Sequence, residues 1–287
     1  MASKPGVLAA AYLTVDGALF IKRLMGIDML PPVLALIGNV YYPQDQAVVD
    51  DHTVPVLVGQ GLIDADGNVE PALESWMRVL ENPDVDVSLR AMQSQMMRRA
   101  VVARRGRQHV LALRRNDQVV IQGLWSQGVS FDEVVSAPLW AAMRVSQDKP
   151  APEPAEFEPV TLSLDQVKTL AEGAPGEMVR QLRRTLGVDL NTAKILNEVS
   201  KYSGQRAEIV VRQSRGMDAV QTPVGVGVAD TIHGRVISAV RQQGSEVWVT
   251  FGPGSYARFR AAMADLMRLT PDKNWFAAAP VKSAGLR

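Results

Sequence analysis

The 287-residue sequence contains no cysteine. Disulfides, thiolate nucleophiles and cysteine metal ligands are therefore excluded. Only three histidines are present, His52, His109 and His233. None stands at a metal-ligand spacing to another His or to an acid, as H-E-x-x-H would require. His109 falls within a strand-like run and His233 in a turn, so both read as structural. Aromatic residues make up 6% of the chain, too few near its basic residues to form a base-stacking surface. The net charge is +1, which gives no overall attraction to nucleic acid or to an anionic membrane. No apolar run approaches the about 20 residues of a membrane-spanning helix. The apolar stretch before Leu13 is followed at once by Asp16 and has no persuasive cleavage site, so the sequence reads as that of a cytoplasmic protein.

Catalytic patterns are missing as well. There is no G-x-S-x-G nucleophile elbow and no G-x-x-x-x-G-K-[ST] phosphate loop. Gly225 and Gly227 form a G-x-G inside a strand-like run with no helix after it, so they read as small residues that permit close approach to a flat strand face. Asp64-Ala65-Asp66-Gly67-Asn68 has its glycine too early for an EF-hand and Ser75 where the bidentate Glu should stand, so it reads as a solvated turn. No catalytic residue, cofactor site or metal site is expected, and the protein is not expected to be an enzyme. One charged feature needs weighing: Arg98, Arg99, Arg104, Arg105, Arg107, Arg114 and Arg115 fall on adjacent strand-like runs. They could form a nucleic-acid or anion-binding surface, or they could solvate turns and strand ends.

What the sequence does contain is a repeated plan. Toward the C-terminus, Ala207–Arg212, Pro223–Val228, Gly234–Val240 and Glu246–Phe251 are short runs rich in β-branched residues, bounded by Gly, Pro and Asp, which predicts successive strands. Ser255 then caps a helix to about Leu269 whose apolar positions Phe259, Met263, Leu266 and Met267 share one face. Earlier, Arg99–Ala103, His109–Leu113 and Gln118–Gln122 are three strand-like runs, followed by a helix over about Ser130–Met143. Strands then helix thus occurs twice, a repeat of pattern without sequence identity. Asp16–Leu24 reads as a helix ended by Gly26, Val33–Ile37 as a buried strand, and Gln44–Val49 and Thr53 to Gly59 or Gly61 as two short helices. Pro71 opens an amphipathic helix with Leu73, Trp76, Met77 and Leu80 on one face, and Asp84–Leu89 alternates as a half-buried strand. Lys149–Pro159, with four prolines and three glutamates, reads as an extended solvated linker. Ser163 and Gln166 form a capping box at the start of three short helices, Leu164–Glu172, Glu177–Leu186 and about Leu190–Ser200.

The ordered set of pieces resembles the EspG family, cytosolic chaperones of mycobacterial type VII (ESX) secretion. The similar pieces are Thr14-Val15-Asp16-Gly17, Gly61-Leu62-Ile63-Asp64-Ala65-Asp66-Gly67-Asn68, Val102-Ala103-Arg104-Arg105-Gly106, Asp230-Thr231-Ile232-His233-Gly234-Arg235-Val236, Gly252-Pro253-Gly254-Ser255 and Lys273-Asn274-Trp275-Phe276. The resemblance runs from about Leu13 to Phe276. It implies an α+β fold, a central and mainly antiparallel β-sheet with two helical bundles and pseudo-two-fold halves. As one EspG-like domain over 1–287, the chain would divide into an N-terminal half (13–148), a linker (149–160), a C-terminal half (161–276) and a tail (277–287). The implied partner is a PE–PPE heterodimer held by the tip of its PPE subunit, with no nucleic acid and no membrane; the oligomeric state stays open. The implied contacts are the central sheet, the connection between the second and third strands, and part of the C-terminal bundle. That connection maps to Arg90–Arg98, shorter than in some members. The expected partner-binding residues are Met92, Gln93, Ser94, Gln95, Met96 and Met97, with Gly225, Val226 and Gly227 on a neighbouring strand. Methionine is unbranched and polarizable, which suits an adaptable apolar contact.

Overall fold

The computed structural model describes residues 8–277 except 39, 41, 126, 145–151, 173–176, 202–203 and 216–217. Its strands are β1 (Ala11–Thr14), β2 (Val85–Gln93), β3 (Met96–Arg105), β4 (Gln108–Arg115), β5 (Gln118–Leu124), β6 (Val160–Ser163), β7 (Arg206–Arg215), β8 (Asp218–Gln221), β9 (Val226–Thr231), β10 (Gly234–Gln243) and β11 (Glu246–Pro253). The helices are α1 (Val15–Leu24), α2 (Gln46–Gly59), α3 (Pro71–Glu81), α4 (Ala137–Ala142), α5 (Leu164–Glu172), α6 (Glu177–Leu186), α7 (Leu190–Ser200) and α8 (Tyr256–Met267). All the strands join one antiparallel sheet in the order β1-β5-β4-β3-β2-β7-β9-β10-β11-β6, with β8 added beside β7.

This order reads as the same plan twice, meeting at the antiparallel β2–β7 pair, Val85↔Gln213 to Met92↔Arg206. In each half an edge strand (β1, β6) runs straight into the first of three helices. A four-strand meander comes next, its last strand paired with the edge strand, and then a terminal helix. The first helix of each half is capped in the same way. Thr14 accepts the Gly17 amide at 3.0 Å. Ser163 accepts the Gln166 amide at 3.2 Å while the Gln166 side chain accepts the Ser163 amide at 2.8 Å, the capping box expected from the sequence.

Period-two alternation divides the sheet into two faces. One face carries Val85, Val87, Leu89, Ala91, Ala100, Val102, Ile209, Val211 and Ile237, all buried in a single cluster with α4 and α8. Phe259, Met263, Leu266 and Met267 are buried residues of α8 in that cluster, as expected, and Ser255 caps the helix by accepting the Arg258 amide at 3.2 Å. The opposite face carries α1–α3 over the N-terminal half and α5–α7 over the C-terminal half.

Several local expectations change. Val33–Ile37 is not a strand. Pro32–Leu34 forms a 3-10 turn, and Ala35 takes a left-handed conformation at φ 45°. The carbonyls of Val33, Leu34 and Ala35 are engaged by Arg99 and Arg114 of the sheet below, so this segment needs no strand partner. The two short helices expected over residues 44–59 are one, α2, with Pro55 inside it. The Thr53 hydroxyl donates back to the Val49 carbonyl at 2.8 Å rather than capping a new helix. Pro223–Gly225 is a turn, and its strand begins only at Val226, past the proline that has no amide to donate. Residues 132–136 form a π turn before α4, next to Pro138, whose missing N–H interrupts the regular ladder. The connection 153–157 is not a free linker: Glu153 and Glu156 are exposed, but the segment is tethered to β10. Ala155 is buried, its amide donates to the Arg235 carbonyl at 2.9 Å, and the Arg235 amide donates to the Glu153 carbonyl at 2.7 Å. The remainder of the expected linker up to residue 151, and the tail beyond Ala277, lie outside the described residues.

Candidate functional site

The two halves share a plan but differ in how their bundles meet the sheet. In the N-terminal half α3 lies directly on β3–β5, with Leu73, Met77 and Leu80 buried against Val101, Val110 and Ile121. Gly123 makes this seating possible: a Cβ there would come within 2.6 Å of the Trp76 indole nitrogen. In the C-terminal half the bundle meets the sheet where Ile195 is buried with Val236 and where Leu162 is buried with Leu182 and Leu196, and stands away from it between these points. An apolar cleft of about 480 Å³ remains between α5–α7 and β7–β11. Its helical wall includes Leu164, Val167, Leu170, Met178, Leu182, Leu196 and Val199; its sheet floor includes Ser238, Val240, Val249 and Phe251; Pro223, Val224 and Gly225 form one rim. Small residues on the floor keep the cleft open. At Gly227 a Cβ would lie 2.4 Å from the Ser238 hydroxyl, and at Gly225 one would lie 2.5 Å from the Ile209 carbonyl oxygen. The glycines therefore serve close approach within this chain and leave a shallow floor where larger side chains would fill the space.

The cleft opens onto the centre of the sheet, where neither bundle covers β2 and β7. A single register row crosses the whole sheet on this face: Val160, Phe251, Ser238, Gly227, Glu208, Arg90, Arg99, Arg114, Val119 and Leu13. Its first four residues belong to the cleft side, where Glu208 also lines the cleft, and its last two line a second pocket of about 620 Å³ at the outer edge of the N-terminal half, between α1–α2 and β1/β5. Between them lie one carboxylate and three guanidinium groups. Arg90 and Glu208 approach to 3.4 Å, both more than half exposed. Toward the strand ends on the same face, Asp86 is buried and accepts from Arg212 at 2.8 Å and from the Ser88 hydroxyl at 3.0 Å. Burial pushes the Asp86 carboxyl above its ordinary range, and the Arg212 charge opposes this in part.

The connection expected over Arg90–Arg98 is not an open loop. β2 and β3 continue through it as a hairpin, and Ser94-Gln95 make a two-residue turn with Ser94 at φ 53°. Met92 and Met97 are directly opposite each other, and alternation places both on the cleft side of the sheet. Gln93 and Met96 are likewise paired but point to the α4/α8 side. The methionines thus divide between two faces. Met92 and Met96 are exposed and Met97 is half-buried. Gly225 lines the cleft and Gly227 lies on the same face between the lining residues Ser238 and Glu208, whereas Val226 points the other way and is fully buried beside Ile209 in the α8 cluster, out of reach of a partner. Sequence reasoning missed the cleft itself. The three helices α5–α7 were legible, but nothing local signals that the bundle leaves a cleft over the sheet.

The strand arginines do not form one anion surface. Arg98, Arg104 and Arg115 point to the α4/α8 side, and Arg99, Arg105 and Arg114 to the other. Internal groups engage most of them. Arg98 donates to the Arg144 carbonyl at 3.0 Å, Arg104 lies 3.6 Å from Asp84, and Arg105 donates to the Arg78 carbonyl at 3.2 Å. The Asp64–Asn68 segment is an exposed turn in which the Asp64 carboxylate accepts the Asp66 and Asn68 amides at 3.0 and 2.8 Å. These bonds hold the Asp64 carboxyl below the ordinary range, led by the Asn68 side chain. Among the described residues no group of three or more His, Asp or Glu could hold a metal ion, and no helix is long and apolar enough to cross a membrane.

Two motifs of the family resemblance find structural roles. In Asp230–Val236, Arg235 is buried and bidentate to Asp230 at 2.6 and 3.0 Å, with its guanidinium 4.7 Å from the Trp140 ring centre. Gly254, from Gly252–Ser255, lies so close to Arg235 that a Cβ there would be 2.2 Å from the Arg235 stem. His109 is packed between the rings of Trp275 and Phe276, each 5.9 Å away, which docks the Lys273–Phe276 segment onto β4.

Comparison with known proteins gives a consistent picture. The profile of the EspG family matches residues 14–265. The ESX-1 secretion-associated protein EspG1 of Mycobacterium marinum is 28% identical over 277 residues, 95% of this chain and 93% of that protein. The ESX-3 secretion-associated protein EspG3 of Mycobacterium tuberculosis is 27% identical over 283 residues, 93% of each. Among solved structures, the Mycobacterium tuberculosis type VII secretion system chaperone EspG5, determined in complex with a PE25–PPE41 dimer, superposes with a TM-score of 0.77 over 94% of this chain and 100% of that one, at 17% identity.

Proposed function

The chain belongs to the EspG family, and from that premise we propose that it is a cytoplasmic chaperone of type VII (ESX) secretion. It binds the tip of the PPE subunit of a cognate PE–PPE heterodimer, keeps that apolar tip from aggregating and directs the complex to its own secretion system. The observation that carries this reading is the position of the cleft under the C-terminal bundle: it opens onto the uncovered central strands, whereas α3 covers β3–β5 and the pocket of the N-terminal half lies at the outer edge, between α1–α2 and β1/β5. Such a surface suits a protein partner with a narrow apolar end. The complexed EspG5 chaperone of the same fold supplies the partner class. The reading requires no chemistry of the protein and no cofactor. In it the tip enters beside Val224 and Gly225, lies over Gly227, and reaches Met92 and Met97 at the hairpin; Gln93, Ser94, Gln95 and Met96 then contribute through the hairpin's end and far side.

Co-expression with candidate PE–PPE pairs, followed by affinity capture and mass spectrometry, tests the partner class. Val224→Glu places a charge on the cleft rim at a half-buried residue packed against the α4/α8 cluster, so its unfolding midpoint is measured alongside. Loss of a hot-spot contact is on the order of 2 kcal/mol or more, over tenfold in affinity. Capture of a heterodimer by the parent but not by this variant is expected. Equal capture by both removes the cleft from the site. Failure of the parent to capture any pair, with steep salt-dependent DNA binding instead, would favour an anion-binding role for the strand arginines.

A further inference from the structure

The register row that crosses the sheet contains an arrangement that folding alone does not favour. Arg90, Arg99 and Arg114 are directly opposite one another on three neighbouring strands. Like charges so placed repel and destabilise a sheet. For two of them the fold provides compensation. Arg114 donates to the carbonyls of Leu34, Ala35 and Asn116, and Arg99 donates to the Val33 carbonyl at 3.2 Å. These are neutral acceptors, so the positive charges stay uncancelled. Burial, and then the charges of Arg114 and Arg90, hold the Arg99 guanidinium below its ordinary pKa. Arg90 has Glu208 at 3.4 Å, a long contact between two largely exposed groups, and such pairs contribute little. The row thus has three cations against one carboxylate; Arg99 and Arg114 lie under the 32–35 turn, while Arg90 and Glu208 are exposed where the row continues from the apolar cleft.

Resting on the chaperone reading above, we infer that the exposed guanidinium of Arg90, backed by Arg99 and Arg114, is a recognition element for an acidic side chain on the partner tip. A tip seated in the cleft and extended along the row passes Gly227 and meets Glu208, then Arg90. A carboxylate at that point takes Arg90 and removes the repulsion along the row, while Glu208 repels it and so limits where along the tip the acid can lie. Apolar burial in the cleft supplies affinity for any suitable tip. The charged row discriminates among tips, rejecting those that present a cation here. Met92 and Met97, one register row beyond Arg90 and Arg99 on the same face, provide apolar contact on the hairpin side of the row.

The test uses the full-length protein and the PE–PPE heterodimer captured in the co-expression experiment, with binding measured by calorimetry at about 50 mM and about 500 mM salt, where screening lengths differ several-fold. Parent affinity should fall with salt. Arg90→Gln and Arg90→Glu should each weaken binding at low salt, the reversal by about tenfold or more, and the gap should close at high salt. Glu208→Gln should bind at least as tightly as the parent. Thermal unfolding of each variant in isolation, expected to match the parent for these exposed positions, guards against misfolding. If both Arg90 variants bind like the parent, or lose affinity equally at both salt concentrations, the inference is wrong. Val224→Glu separates the two claims, since it should abolish binding at both salts. If it binds like the parent, the cleft reading itself fails; if it loses binding while the Arg90 variants do not, only the charged row is refuted.

Discussion

Arg235 offers the sharpest energetic test of how the two halves are tied together. Its side chain is 2% exposed and its partner Asp230 is 13% exposed, with both guanidinium–carboxylate bonds short. The guanidinium lies over Trp140 of α4. Its main chain accepts from Ala155 at 2.9 Å and from Gly254 at 2.7 Å. One residue therefore joins the β9–β10 turn, the connection between halves, the start of α8 and a helix of the N-terminal half. Removing one partner of a buried ion pair costs roughly 3–5 kcal/mol, because the other charge is left uncompensated. Loss of the aromatic contact adds about 1 kcal/mol. Against a total stability of about 5–15 kcal/mol, Arg235→Ala should unfold a large part of the population at moderate temperature. Arg235→Lys keeps the charge but not the two-pronged geometry and should fall between. Arg235→Met combined with Asp230→Asn removes both charges and keeps the volume, so it should cost clearly less than the sum of the single changes. Urea denaturation of these variants and of the two single changes, read as midpoint and slope, gives the coupling. If the single changes cost under about 1 kcal/mol, or add to the double change within about 0.5 kcal/mol, the pair does not organise the junction as described.

Leu266→Ala, in the buried face of α8, should cost roughly 2–5 kcal/mol, whereas Arg268→Ala, at an exposed arginine whose partner Asp265 keeps Arg241, should cost about 0–1 kcal/mol; equal denaturation midpoints would show the helical face to be wrong. Gly123→Ala should cost about 1–3 kcal/mol, because the new methyl group must displace the Trp76 indole, and a shift in tryptophan emission should accompany it. His109 has its pKa lowered, chiefly by burial and further by Arg104. The unfolded chain takes up a proton near pH 6.5 while the folded one resists it. The stability from His109 is therefore fully present above about pH 6.5 and lost as the pH falls below it. His109→Phe should flatten this acid-side slope in denaturation curves collected from about pH 7.5 to about pH 5, and an unchanged slope would place the proton uptake elsewhere.

Residues whose neighbours are close in the chain were legible without a structure. The capping box at Ser163, the apolar faces of α3 and α8, and the three helices after Ser163 depend on spacings of three and four residues, which sequence displays directly. The strand blocks and their turns were legible for the same reason, and the missing catalytic patterns and family-like motifs directed the reading toward a binding protein. The four-residue edge strands β1 and β6 were not legible, since each is too short to show a period and pairs with a strand about 90–110 residues away. Nor was the hairpin that splits Met92 and Met97 from Gln93 and Met96: alternation had to be anchored by β7 before any of these side chains acquired a face.

Hydrophobic period and turn chemistry are local properties, so the residues in order were enough to establish an antiparallel α+β protein built twice on one plan. That α3 closes on the sheet while the C-terminal bundle leaves a cleft beside its centre emerged only from the folded chain. It depends on which side chains from distant segments oppose each other: Trp76 over Gly123 in one half, and Gly225, Gly227 and Ser238 beneath the helices in the other. The same holds for the three arginines that fall in one row beside that cleft, since register is set by pairing across the sheet and no spacing along the chain encodes it.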